Sequence, residues 1–316
     1  MQKNKKPIDI LFAATSDYLP YAIVTAMSAI EMAMGRPVNV HFMYADIVKP
    51  ISDTERQSYF DRAKNTLAGV GAKIFFYDIT ELMPMLDGQN IGMWGREVSL
   101  THYFYLLAPI VLPKNISRAI YLDTDIIVNC DLSDVFNMKM GDKLLAMGEP
   151  RGFEEMGDDV SNSGFVMLNL DQWRKENTIN TLLEFGKTVQ DKQFCDQNLL
   201  YQYFTKSHPD RLMLVDKRYN IFPQLFPEMT CEEIKIMHFT GFYSHKPWLD
   251  ATGRQRCSEY WWKYARQTAF YEMFLHKMIV AAVPVSHPVI KKKRKHRGLW
   301  WAPASYEILE IKRKNN

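Results

Sequence analysis

Short apolar runs and longer helical patterns take turns through the first half of the chain. Residues 8–13, Val38–Tyr44 and 73–77 have the length and composition of buried strands. Segments 18–34 and 53–68 between them carry apolar residues at helical spacing. Parallel strands need long crossovers, so this succession predicts an α/β fold with a mainly parallel sheet covered by helices. In segment 99–112, Leu100, Tyr103, Leu106 and Leu107 recur at helical spacing and Pro113 supplies the stop. A fourth strand, Ala119–Leu122, runs directly into Asp123-Thr124-Asp125. Ligands of such sheets bind outside the carboxyl ends of the strands, where these two carboxylates fall. Further on, Phe165–Leu168 and 234–238 read as strands, and 171–190, 196–204 and 259–276 as helices.

At 316 residues, 47% hydrophobic and 24% charged, the chain can bury a large core, which excludes disordered and small stapled classes. The G-x-x-x-x-G-K-[ST], G-x-G-x-x-G and G-x-S-x-G patterns are absent, so P-loop, dinucleotide and serine-hydrolase chemistries have no support. Cys130, Cys195, Cys231 and Cys257 stand far apart with no C-x-x-C pair. That spacing argues against a zinc site or a disulfide framework and fits a reducing compartment. No apolar stretch reaches the roughly 18 residues of a membrane span. The start, with Lys3, Lys5 and Lys6 before an apolar run containing Asp9, reads as a first strand rather than a signal peptide.

The net charge of +3 is an average of two unlike parts. Residues 287–316 hold nine Lys/Arg against two acids, a balance of +7, so the rest, with 30 basic and 34 acidic residues, carries −4. In the tail, Lys291-Lys-Lys-Arg-Lys-His-Arg297 precedes Leu299-Trp300-Trp301. Clustered bases beside indoles suit an anionic membrane interface, which 291–301 is expected to contact; no fold or motif supports nucleic-acid binding. Six such charges at about 1 kcal/mol each are enough for reversible attachment. A soft boundary near residue 255 separates a catalytic domain, 1–255, from a helical extension with this tail, 256–316.

Asp123 and Asp125, on one side of an extended chain, can share a divalent ion, and their hard oxygens suit Mn²⁺ or Mg²⁺, which would in turn hold a diphosphate. Alone, an Asp-x-Asp pair is more often a solvated turn than a metal site. His238-Phe-Thr-Gly241 followed by Lys246-Pro-Trp248 adds what such a site lacks, a third ligand at a strand end and a phosphate-binding cation.

These motifs belong to an ordered set. Phe12-Ala-Ala-Thr-Ser-Asp-Tyr18, Tyr121-Leu-Asp-Thr-Asp-Ile126, Ser161-Asn-Ser-Gly164 with Asn169-Leu-Asp-Gln-Trp173, Asp196-Gln-Asn198, Tyr219-Asn220 and His238-Phe-Thr-Gly with Lys-Pro-Trp248 follow one another along residues 8 to 250. The whole resembles family 8 glycosyltransferases, most closely bacterial lipopolysaccharide galactosyl- and glucosyltransferases. The resemblance implies a GT-A fold, a UDP-hexose donor, Mn²⁺ and retention of anomeric configuration. It implies that Asp123, Asp125 and His238 hold the metal and that Lys246 and Gly241 meet the diphosphate beside Thr124. Ala14, Thr15, Asp17 and Tyr18 would form the nucleoside pocket, Tyr18 stacking on uracil. Asn162, Asp196 and Gln197 would surround the transferred hexose, Asp196 accepting a hydroxyl and Gln197 lying beneath the anomeric carbon. Tyr18 also fits a core position, Asn162 a turn and Asp196 a helix cap. Thr15 and Ser16 stand where many relatives have an acidic pair. Tyr105 stands where relatives carry an arginine that reaches the donor, and Arg96 is the expected substitute.

What the resemblance implies is a cytoplasmic enzyme, peripheral on the inner face of the cytoplasmic membrane, moving galactose or glucose to a lipid-linked glycan acceptor. Its rivals are a glycogenin-like protein glucosyltransferase and a catalytically silent member that binds membrane or a partner.

Overall fold

The computed structural model of the chain describes residues 6–47, 50–89, 92–93, 96–97, 99–150, 160–189, 195–240 and 246–282. Strand β1 (Ile8–Ala14), helix α1 (Leu19–Glu31), β2 (Val38–Tyr44), α2 (Asp53–Ala68) and β3 (Lys73–Asp78) alternate as the sequence predicts. The short β4 (Gly92–Met93) and β5 (Arg96–Glu97) precede a 3₁₀ helix, Leu100–Leu107, which continues into α3 (Ala108–Val111). Next come β6 (Ala119–Leu122), β7 (Ile126–Val128), α4 (Leu132–Phe136), β8 (Leu145–Gly148), β9 (Phe165–Leu168), α5 (Leu170–Glu176) and α6 (Thr178–Thr188). Helix α7 (Cys195–Leu200) passes into a π-helical stretch, Tyr201–Ser207, before β10 (Leu212–Val215), β11 (Ile236–His238), α8 (Ser258–Ala265) and α9 (Tyr271–Ala282).

Seven strands form one sheet in the order β10-β8-β9-β6-β1-β2-β3, parallel except at β9, which runs against both its neighbours. Successive side chains of a strand point to opposite faces. In β1, Ile8, Ile10 and Phe12 therefore pack with α1 and α2 on one face, while Leu11 and Ala13 join Tyr105, Trp173 and Leu182 on the other. A separate antiparallel ribbon pairs β7 with β11 and places His238 opposite Ile126. Among the described residues no helix is long and apolar enough to cross a membrane.

Four features depart from the sequence reading. The single helices expected over 171–190 and 259–276 are each two, because Asn177 adopts a left-handed φ of 53° between α5 and α6 and the chain turns between Ala265 of α8 and Tyr271 of α9. Segment 99–112 is mostly 3₁₀, capped by Ser99, whose hydroxyl accepts from Thr101 N. The expected boundary near residue 255 falls inside a compact unit that extends to Ala282. Trp261 of α8 and Phe274 of α9 are fully buried in the same core as α1. Finally, Cys231 and Cys257 form a disulfide with their Cα atoms 5.8 Å apart. This corrects the argument from cysteine spacing, because distance along the chain does not report distance in space. The inference of a reducing compartment loses that support.

Candidate active site

The site begins where β6 ends. All four β6 residues are buried, and Asp123 N donates to Gly164 O at 2.8 Å, holding the exit of the strand against the segment before β9. Three residues later β7 starts its pairing with β11, so the register that sets His238 against Ile126 also brings its ring to Asp125. Phe239 N donates to Asp125 O at 2.9 Å and closes the corner. One ligand atom from each of Asp123, Asp125 and His238 lies within 4.8 Å of the others.

The hydrogen bonds around His238 test whether this cluster suits a cation. Asn220 Nδ2 donates to Asn162 O (2.9 Å) and Asn162 Oδ1 (2.8 Å), which turns the Asn220 oxygen toward His238 Nδ1 at 2.8 Å. Nδ1 is thereby assigned the proton, and Nε2 presents its lone pair 3.4 Å from Asp123 Oδ2 and 3.2 Å from Asp125 Oδ1. Three such donors converging on one point repel unless a proton or a metal ion lies between them. A second ring nitrogen tied to an acceptor is the support that metal-binding imidazoles have. Oxygen, oxygen and imidazole nitrogen fit Mn²⁺ or Mg²⁺.

Gly164 makes room for this arrangement. A Cβ there would lie 2.5 Å from His238 Cε1 and 2.6 Å from Nδ1. Gly164→Ala is therefore expected to displace the imidazole and weaken Mn²⁺ binding about 10- to 100-fold, measured by calorimetry, while thermal unfolding stays cooperative.

Asp125 is buried, which pushes its carboxyl up. The charges and hydrogen bonds of Lys246, and of His238 when its Nε2 carries a proton in place of a metal ion, outweigh that and hold it well below the usual carboxylate range. The Lys246 ammonium sits directly on Asp125 Oδ2. Lys246, Asp123, Thr124 and Asp125 line a cavity of about 950 Å³, within the size range of small-molecule sites. Ala14, Thr15, Asp17 and Tyr18 line it too, and Tyr18 is 47% exposed, so it belongs to the cavity and not to the core. Ser16 is fully buried, its N and Oγ donating to Asp46 at 2.7 and 2.9 Å. Gly241 and the Arg96 side chain lie outside the described residues.

Behind the cavity wall, Asn162 Nδ2 donates to Gln197 Oε1 at 2.7 Å, linking Gln197 through Asn162 and Asn220 to the metal-cluster histidine. Asp196, the first-turn acid of α7, is only 1% exposed. Its Oδ2 accepts from Tyr105 Oη at 2.9 Å. The Tyr105 ring stacks on Tyr121 with centroids 4.2 Å apart, and Tyr121 Oη donates to Asp123 Oδ1 at 2.5 Å. Tyr105 thus occupies its position as a buried neutral donor to Asp196. Burial, partly offset by His102, Ser163 and Tyr105, raises the Asp196 carboxyl to about 6.

The sequence reading missed His102, Tyr21 and Lys277, all of which line the cavity. Lys277 comes from α9, contacts Tyr21 Oη and has its pKa lowered, chiefly by burial. A lysine between apolar helical positions gives no local sign of such a role.

The mainly parallel α/β sheet, with paired carboxylates at the exit of β6 and an imidazole on the β7–β11 ribbon, has the GT-A fold of glycosyltransferases. The chain belongs to glycosyl transferase family 8, whose family model matches residues 9–252. Its relatives include glycosyltransferase GlyB of Streptococcus pneumoniae serotype 4, 27% identical over 230 residues, covering 68% of this chain and 54% of GlyB. A probable glycosyl transferase of Streptococcus gordonii is 27% identical over 188 residues, covering 57% of this chain and 26% of that protein. The chain thus spans about half or less of these two relatives. Among solved structures, the galactosyltransferase LgtC, in complex with donor and acceptor sugar analogues, superposes with a TM-score of 0.65 at 22% identity. It covers 83% of this chain and 96% of LgtC, a likeness of fold.

Proposed function

We propose that the chain is a retaining hexosyltransferase that moves galactose or glucose from a UDP-hexose to a lipid-linked surface glycan, with Mn²⁺. The observation that carries this is the convergence of Asp123, Asp125 and His238, the two carboxylates lining a cavity that also presents Lys246 and the exposed ring of Tyr18. A bound metal ion would supply Lewis-acid charge to the departing diphosphate. Lys246 adds a second cation there, so the leaving group needs no strong general acid. Tyr18 offers a face on which a base can stack. Gln197 holds its oxygen toward Asn162 Nδ2 and Ser163 N, which favours attack on the same face of the sugar as the leaving group over a covalent intermediate on Gln197.

The test is a UDP-release screen with UDP-galactose, UDP-glucose and UDP-N-acetylglucosamine, with and without Mn²⁺. Metal-dependent release from a hexose donor is expected; no release from any of the three would overturn the enzyme reading.

The same proposal places the protein at the inner face of the cytoplasmic membrane through 291–301, in a segment outside the described residues. Removing 287–316 is expected to leave turnover of a soluble acceptor intact and to abolish sedimentation with anionic phospholipid vesicles. Equal sedimentation of both forms would refute the anchor.

A further inference from the structure

We propose that His102 is a donor-specificity residue, which reads a hydroxyl of the transferred hexose beside the Asp196 carboxylate that the family resemblance already sets there; this rests on the nucleotide-sugar reading above. In a 3₁₀ helix, side chains three apart lie one above the other. His102 and Tyr105 stand at that spacing in Leu100–Leu107, and each reaches toward one oxygen of the Asp196 carboxylate.

Tyr105 Oη takes Asp196 Oδ2 at 2.9 Å, while His102 Nδ1 stops 3.9 Å from Oδ1. Oδ1 is buried and has no hydrogen-bond partner among the described residues. A carboxylate oxygen left so is costly, and such groups are kept where a ligand satisfies them.

His102 is the exposed member of the pair, its side chain 40% accessible, and it lines the same cavity as Asp123, Asp125 and Lys246. A hexose hydroxyl donating to Oδ1 would complete the carboxylate. The imidazole, a ring edge away, would engage the neighbouring hydroxyl. A phosphate at this spot would instead meet the Asp196 charge, so the pair recognises sugar rather than diphosphate. Tyr105 cannot make the contact, because its phenol is fully enclosed and already committed.

The experiment is calorimetric binding of UDP, UDP-galactose and UDP-glucose, each with Mn²⁺, to the wild type, His102→Ala and His102→Gln, with steady-state kinetics alongside. His102→Ala is expected to bind UDP within about twofold of wild type and the preferred UDP-hexose about tenfold more weakly. The KM for that donor rises accordingly, and discrimination between galactose and glucose narrows. His102→Gln, which keeps a donor at this position, restores most of the loss. Unchanged UDP-hexose binding in His102→Ala overturns the proposal, and so does an equal loss for UDP and UDP-hexose. Failure of the wild type to bind UDP overturns the nucleotide-sugar reading together with this one.

Discussion

Asp125→Asn is expected to lower transfer from UDP-hexose by about a thousandfold, corresponding to about 4 kcal/mol of transition-state stabilisation. Asp125 is the centre of the cluster. It lies 3.2 Å from His238 Nε2, carries Lys246 on its other oxygen, and anchors β11 through the Phe239 amide. The backbone contact survives the substitution, so the fold is expected to persist. What is lost is half of the paired negative charge that would draw in a divalent ion. The Asp125 carboxyl, held well below the usual carboxylate range chiefly by Lys246, stays ionised when the medium turns mildly acidic. Steady-state rates across Mn²⁺ concentration check the loss. Activity within tenfold of wild type at saturating Mn²⁺ would remove Asp125 from the machinery.

Asp196→Asn should move activity and stability in opposite directions. The folded protein holds the Asp196 proton up to about pH 6, against an ordinary 3.8, so it binds that proton more readily than the unfolded chain. The sign follows from linkage: this residue's contribution to stability is fully present below about 3.8 and is lost as pH rises to about 6. Above that, the enclosed carboxylate is a standing cost of about 3 kcal/mol. An amide carries no such cost and can still accept from Tyr105. The variant is therefore expected to melt about 2–6 °C higher than wild type at pH 7.5, with the gain disappearing near pH 4. Transfer is expected to fall about a hundredfold, because the amide cannot replace a carboxylate as acceptor for a sugar hydroxyl. Paired melting curves at the two pH values and a donor turnover assay measure both arms. Equal melting at pH 7.5 would show that Asp196 is not held against its preferred ionisation.

Much of the sheet was legible because its strands are short, apolar and separated by amphipathic helices. The expected limits of β2, α2, β6 and β9 coincide with those observed. Strand β8, Leu145–Gly148, and β10, Leu212–Val215, were not read although each is a short apolar run between charged residues, Lys143 and Glu149 around the first and Arg211 and Asp216 around the second. The helical pattern at 99–112 was recognised, but spacing does not distinguish α from 3₁₀ when apolar residues recur at both three and four. That difference is what aligns His102 with Tyr105.

The residue types able to gather a divalent ion and a diphosphate, Asp123, Asp125, His238 and Lys246, were determined by the sequence, since their chemistry and their places at strand ends are local properties. Tertiary structure alone decided how they work together. The β7–β11 register sets His238 beside Asp125. The amides of Asn162 and Asn220 orient its ring, and the cover of Gly164 leaves space for it. The Cys231–Cys257 bond and the enclosure of Asp196 between Tyr105 and His102 belong to the same level. Each of these joins side chains tens of residues apart, or depends on what excludes water from one atom, and neither quantity is encoded in the spacing of residues along a chain.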